Sequence, residues 1–148
     1  MLQSILLAAA VFLASVGLHL AALRWCSNGM AAIRLTPWTR SMAVSVVLFA
    51  AHLAEIGLYA VVYAAAEHWF DLGTFSGEPV TTGVDYFYFS AITYTSLGIG
   101  DIFPTEHLRF LTGVEALGGL LLIAWSASFL FALMSRLWKW HPFADHDK

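Results

Sequence analysis

The chain has 148 residues, a length that suits one compact domain. It is 59% hydrophobic and 11% charged, where ordinary soluble domains carry about 25% charged residues. A soluble body of this size could not hide so much apolar surface, so lipid is the solvent for much of the chain. The formal net charge of −3 and the lack of a basic patch argue against nucleic acid or another polyanion as partner. Cys26 is the single cysteine, which excludes an internal disulfide and shows no zinc-type spacing with other ligands.

Three long apolar runs follow in chain order. Leu2 to Leu23 carries no formal charge, and His19 is its main polar interruption. Ser41 to Ala66 holds only His52 and Glu55 as ionisable groups, and Phe110 to Ser135 holds only Glu115. Each run exceeds the ~20 residues that a helix needs to cross ~30 Å of hydrocarbon. The first run competes with a signal peptide, but no Lys or Arg precedes it and Arg24, Arg34 and Arg40 follow it. A retained spanning helix is the expectation.

Positive charge sets the expected orientation. Arg24, Arg34 and Arg40 lie between runs one and two, and Arg136 and Lys139 follow run three. These segments read as cytoplasmic, which puts the N-terminus outside and the C-terminus inside a multi-pass protein of the cell membrane. The connector from Glu67 to Val84 is then external, and it carries Glu67, Asp71 and Glu78 with no Lys or Arg. Trp25, Trp38, Trp138 and Trp140 fall where a cytoplasmic-side aromatic belt would lie.

Between runs two and three, Asp85 to Glu106 is too polar and too broken for a fourth span. Its first half is aromatic-rich and reads as a short helix, while glycines interrupt its second half. A short helix followed by irregular backbone between two spans has the form of a re-entrant loop. Such backbone is tolerated at membrane depth only when buried in protein or lining a water-filled path.

Within this loop, Thr95-Ser96-Leu97-Gly98-Ile99-Gly100-Asp101 resembles the selectivity-filter signature of potassium channels, Thr-Thr-Val-Gly-Tyr-Gly-Asp. The preceding Tyr86 to Thr93 resembles that family's aromatic pore helix, and the resemblance covers Ser41 to Ser135. It implies an all-α membrane protein with three transmembrane helices, a re-entrant pore helix and a filter loop, closed as a homotetramer. The implied layout is an N-terminal helix and cytoplasmic connector over 1–40 and a pore domain over 41–138. Within the pore domain lie an outer helix 41–66, an external loop 67–84, a pore helix 85–95, a filter 96–101 and an inner helix 105–138. A short cytoplasmic tail, 139–148, completes the chain.

The residue types suit that chemistry. Potassium sheds its water in a narrow filter, so rings of backbone carbonyls must replace the water. Turning successive carbonyls to one side requires alternating backbone conformations, some with φ > 0, which glycine adopts without a Cβ penalty. Gly98 and Gly100 have the every-second-residue spacing. By the resemblance, the carbonyls of Ser96, Leu97, Gly98 and Ile99 bind K⁺, the permeant ion and no cofactor in the usual sense, and the Ser96 hydroxyl adds a ring at the inner end. The pore helix would direct its negative dipole end at the cavity, and Asp101 would add negative charge at the outer mouth. Ile99 replaces an aromatic that braces the filter in family members, and Leu97 replaces a valine or isoleucine. Both leave open a related channel that also passes sodium, and a non-conducting subunit that keeps the fold is a third reading.

The remaining polar residues divide between function and packing. Glu115 either faces the cavity or the back of the filter, or it locks inner helix to pore helix. His52 and Glu55 share a helix face and pair with each other or with the first span; a proton-sensing role is the other reading. Gly118-Gly119 is either a gating hinge or a close-packing site. Trp125, Phe129 and Phe131 include side chains large enough to close a pore by dewetting. Arg109 and His107 are expected to anchor the start of the inner helix at the outer interface, and metal binding by the tail histidines is not favoured. No span carries the Arg or Lys repeat of a voltage sensor, and no nucleotide or EF-hand motif appears, so gating falls to the pore, the membrane, pH or a regulatory partner. No nucleophile–base constellation suggests an enzyme.

Overall fold

The structure, a computed structural model, describes residues 1–29 and 34–138, with only the backbone of Trp138. Lys139, Trp140 and the tail 139–148 with its histidines lie outside the described residues. Three helices are long and apolar enough to cross a membrane. Helix α1 spans Leu2–Arg24 and runs into a π-helical turn over Trp25–Gly29. Helix α2 spans Pro37–His68, α3 spans Gly83–Tyr94 and α4 spans Leu108–Trp138. Two short strands, β1 at Phe75–Gly77 and β2 at Ile102–Pro104, form an antiparallel pair.

Helix ends differ from the sequence-based bounds for local reasons. The outer helix begins at Pro37, before the expected 41, because Pro at the first helical position is preset for the helix and Thr36 caps it by accepting from Thr39 N–H at 3.3 Å. The pore helix begins at Gly83 rather than 85. The Asp85 carboxylate accepts from the backbone N–H of Thr82 at 2.7 Å and of Thr81 at 2.9 Å, which satisfies otherwise orphaned donors at the helix entrance. Those same bonds hold the Asp85 carboxyl below its usual range. The inner helix begins at Leu108 rather than 105, because 105–107 form a turn with Glu106 at φ 45°.

The connector from α2 to α3 is not merely a loop. Pairing of Phe75 with Pro104 and of Gly77 with Ile102 ties it to the backbone leaving the glycine-rich segment. Glu78 N–H donates to the Asp101 carbonyl at 2.9 Å, and Thr105 N–H to the Thr74 carbonyl at 2.9 Å. Gly77 is required here, since it has φ 97° and a Cβ would lie 2.2 Å from the Asp101 carbonyl oxygen.

Packing places α3 among the three spans. Ser4, Ala8, Val11, Ser15 and His19 form one buried stripe on α1 at helical spacing. Leu111, Glu115, Leu122 and Ser126 form another on α4. The core joins α1, α2, α3 and the start of α4 around Tyr59, Tyr63, Tyr86, Phe89 and Tyr94. The Met1 amino group lies 3.2 Å from His107 Nε2, so α1 begins at the end of the bundle where α4 begins. Arg109 Nε donates to the Pro104 carbonyl at 3.2 Å and fixes that entrance.

Candidate functional site

Helix α3 has 12 residues and is about 18 Å long, so it cannot cross ~30 Å of hydrocarbon. It ends at Tyr94, and the chain then turns. Thr95 Oγ1 donates to the Ala91 carbonyl at 2.7 Å, Ser96 N–H to Thr93 at 2.8 Å and Gly98 N–H to Ile92 at 3.1 Å. The backbone beyond alternates in hand, with φ of 56° at Ser96, 52° at Gly98 and 83° at Gly100. The glycine positions match the sequence expectation, while Ser96 was not foreseen as a positive-φ residue. A non-glycine side chain there is uncommon and strained by about 1–2 kcal/mol. Within the single chain a Cβ at Gly98 or Gly100 would meet nothing within 4 Å, so here it is backbone hand that makes glycine the fitting residue.

Thr95 through Gly100 are all exposed on the single chain, with Leu97 at 66% and Ile99 at 58%. Behind this exposed face, Tyr88 on α3 donates to Asp101 Oδ2 at 2.6 Å. That bond ties the end of the segment to the helix at its back, and the Asp101 carboxylate pushes the Tyr88 hydroxyl above its ordinary range. The sequence pointed to Ile99 as a lost aromatic brace and missed Tyr88, whose partner lies across a loop.

Glu115 is fully buried. It accepts from Tyr63 Oη of α2 at 2.6 Å and from Ser90 Oγ of α3 at 2.5 Å. The carboxylate thus joins inner helix, outer helix and pore helix at one point. Ser90 also reaches the Ile56 carbonyl at 2.9 Å. Substituting Glu115 with Ala removes the acceptor of two buried hydroxyls, each worth about 1–3 kcal/mol when orphaned. Because Ser90 keeps the Ile56 carbonyl and Tyr63 keeps Thr112 Oγ1 at 3.2 Å as alternatives, the expected loss is about 1 kcal/mol per chain. Glu115→Gln, which retains a carbonyl, should lose less. Thermal unfolding of the detergent-solubilised protein checks this, and equal midpoints for wild type and both variants would contradict it.

Gly118 and Gly119 sit where α4 passes close to α1 and to the end of α3. A Cβ on Gly119 would lie 2.1 Å from the Tyr94 carbonyl oxygen, and one on Gly118 would lie 3.0 Å from the Phe12 ring. Of the three bulky candidates lower on α4, Trp125 approaches His19 on α1, with ring centroids 6.5 Å apart. Phe129 packs against the cluster of Cys26, Val44 and Leu48, and Phe131 is exposed at 58%.

The second polar centre joins His52 and Glu55 to each other and to the first span, as their shared helix face implied, and adds two partners the sequence did not name. Glu55, fully buried, meets His52 on its own helix and His19 on α1. Tyr94, the last residue of α3, donates to Glu55, and Ser126 on α4 lies between the two imidazoles. His19 was legible only as a polar interruption. The signal was its place four residues beyond Ser15 on the stripe that α1 buries.

Three spans, a short helix ending inside the bundle and an alternating-hand segment exposed beside it define a membrane channel pore. A family model described as an ion channel matches residues 42–136, from α2 through α3 and the glycine-rich segment to α4. The chain belongs to this family, whose pore is potassium-channel-like. No curated protein and no solved structure matches the chain.

Proposed function

We propose that four copies of this chain close around one axis in the cell membrane and conduct potassium, with ions held by the backbone carbonyls of Ser96, Leu97, Gly98 and Ile99. One observation carries this reading. Positive φ at every second residue from Ser96 to Gly100 is the backbone pattern that turns successive carbonyls toward one side. The exposure of Thr95 to Gly100 supports the assembly, since one chain supplies one strand and a closed ring needs a rotational set. Asp101 adds negative charge at the outer mouth. Lipid surrounds the assembly, and Arg24 at the end of α1, Arg34 in the connector and Arg40 in the first turn of α2 support a cytoplasmic C-terminus. The chain catalyses no reaction in this reading. Leu97 and Ile99, in place of a β-branched residue and an aromatic, favour a second reading in which sodium also passes.

Reversal potentials decide between them. The purified protein in a planar bilayer, with potassium on one side and sodium on the other, should reverse far toward the potassium equilibrium potential. Reversal near zero with real current would establish the sodium-permeable pore. An assembly that is only monomeric or dimeric by intact-complex mass, with no current, would sink both readings and leave a non-conducting subunit.

A further inference from the structure

We propose that His19, His52 and Glu55 form a binding site for a first-row divalent metal ion of the Zn²⁺ class, clamping the first helix to the base of the pore helix. One donor atom from each of the three residues lies within 4.8 Å of the others. His19 Nδ1 is 2.9 Å from Glu55 Oε1, and His52 Nδ1 is 3.2 Å from Glu55 Oε2. Those separations approach the ~3.4 Å edge of a tetrahedron with metal–ligand bonds of about 2.1 Å. His19 and Glu55 are fully buried, while the His52 side chain is 17% exposed and offers the entry path.

Proton counting shows why the cluster takes a cation. Five groups close a ring: Glu55 to His19, His19 to Ser126, Ser126 to His52, His52 to Tyr94, and Tyr94 back to Glu55. With Glu55 ionised, the two neutral imidazoles, the serine and the tyrosine hold four protons for these five links and for the sixth contact, His52 Nδ1 to Glu55 Oε2. Contacts outnumber donors, and a cation among the acceptors relieves the shortage. A metal on both Nδ1 atoms and Glu55 settles the rest. Each imidazole then keeps Nε2–H, and both face Ser126 Oγ, at 3.3 Å from His19 and 3.0 Å from His52. A hydroxyl oxygen has two lone pairs and accepts both.

This is the outer support that metal-bound histidines and carboxylates ordinarily have, with Tyr94 donating to the ligating carboxylate. Two imidazoles and one carboxylate suit Zn²⁺ and its neighbours rather than Ca²⁺ or Mg²⁺, which prefer all-oxygen sets. The fourth position falls to water, which leaves Tyr94 as the donor to the carboxylate. A divalent ion on one carboxylate leaves a net positive charge in a low-dielectric bundle. The C-terminal end of α3, where Tyr94 sits, presents the negative end of its dipole to that charge.

The test uses the full-length protein in detergent, stripped with chelator and titrated with Zn²⁺, and separately with Co²⁺ as a spectroscopic probe. One metal per chain and the intense visible bands of tetrahedral Co²⁺ are expected. His52→Ala, at the partly exposed ligand, should weaken binding by at least ~100-fold, and Ser126→Ala by roughly 10–100-fold, as loss of an outer-shell partner does. A His141→Ala/His146→Ala variant should bind as wild type does. Absence of stoichiometric binding to the wild type would overturn the site, as would binding unchanged in a monodisperse His52→Ala protein or lost only in the tail variant. The readout needs no current, so it stands or fails apart from conduction.

Discussion

Replacing Gly98 with alanine should abolish current while leaving membrane insertion intact. Gly98 sits at φ 52°, in the left-handed region where an L side chain costs about 1–2 kcal/mol. In a proposed ring of four, that sums to about 4–8 kcal/mol against the arrangement with carbonyls facing the axis. Every 1.4 kcal/mol is about tenfold in population, so the conducting state falls by roughly a thousandfold or more. Within its own chain nothing lies within 4 Å of the added methyl, so the strain stays in the backbone and that chain's helices need not move. Gly100, at φ 83°, should tolerate alanine less well still. Single-channel recording beside a membrane-extraction assay checks both. Undiminished current in Gly98→Ala would mean that this segment's carbonyls do not line the ion path.

Gly119→Ala should be the most damaging single methyl on α4. The new Cβ would sit 2.1 Å from the Tyr94 carbonyl oxygen and 2.9 Å from its carbon. Both are backbone atoms, which no rotamer change relieves. The helices must part by roughly 1 Å in a close-packed interior, at about 1–3 kcal/mol per chain for overpacking. Tyr94 ends α3 directly before the segment proposed as the filter, so the displacement reaches the proposed ion path as well as the stability. Gly118→Ala is the natural comparison. Its nearest neighbour is the Phe12 ring at 3.0 Å, a side chain that can turn aside. The expected result is a clear drop in thermal midpoint and loss of current for Gly119→Ala, with Gly118→Ala close to wild type. Equal behaviour of the two variants would contradict the close-approach account.

These two glycines also show where sequence reading stops. Gly98 was legible because alternate glycines after a Thr-Ser pair carry a backbone pattern in themselves. Gly118-Gly119 was legible only as a choice between hinge and contact, because what a missing Cβ makes room for lies on another helix. Ser96 resembles a threonine of the filter signature, yet its φ of 56° follows from the geometry between the end of α3 and Gly98, not from its own preference. The β1–β2 pair was invisible for a similar reason. Its strands have three residues each and pair across the whole pore helix, too short for any alternation to register.

The amino-acid sequence by itself determined that the chain lives in lipid, where its three spans lie, that a short helix and a glycine-patterned loop separate the last two, and which family's pattern that loop follows. In lipid every backbone polar group must be satisfied within its own segment, so a spanning helix is a local property that composition reveals. The tertiary structure alone decided how those helices are rotated against each other. Each span is apolar nearly all the way round, and lipid-facing and protein-facing residues look alike when the solvent is itself apolar. Rotation and register therefore rest on a few polar meetings, Glu115 with Tyr63 and Ser90, and Glu55 with His19, His52 and Tyr94. Apart from His52 with Glu55, three apart on one helix face, those meetings join residues from 25 to 52 positions apart, and no spacing along the chain foretells them.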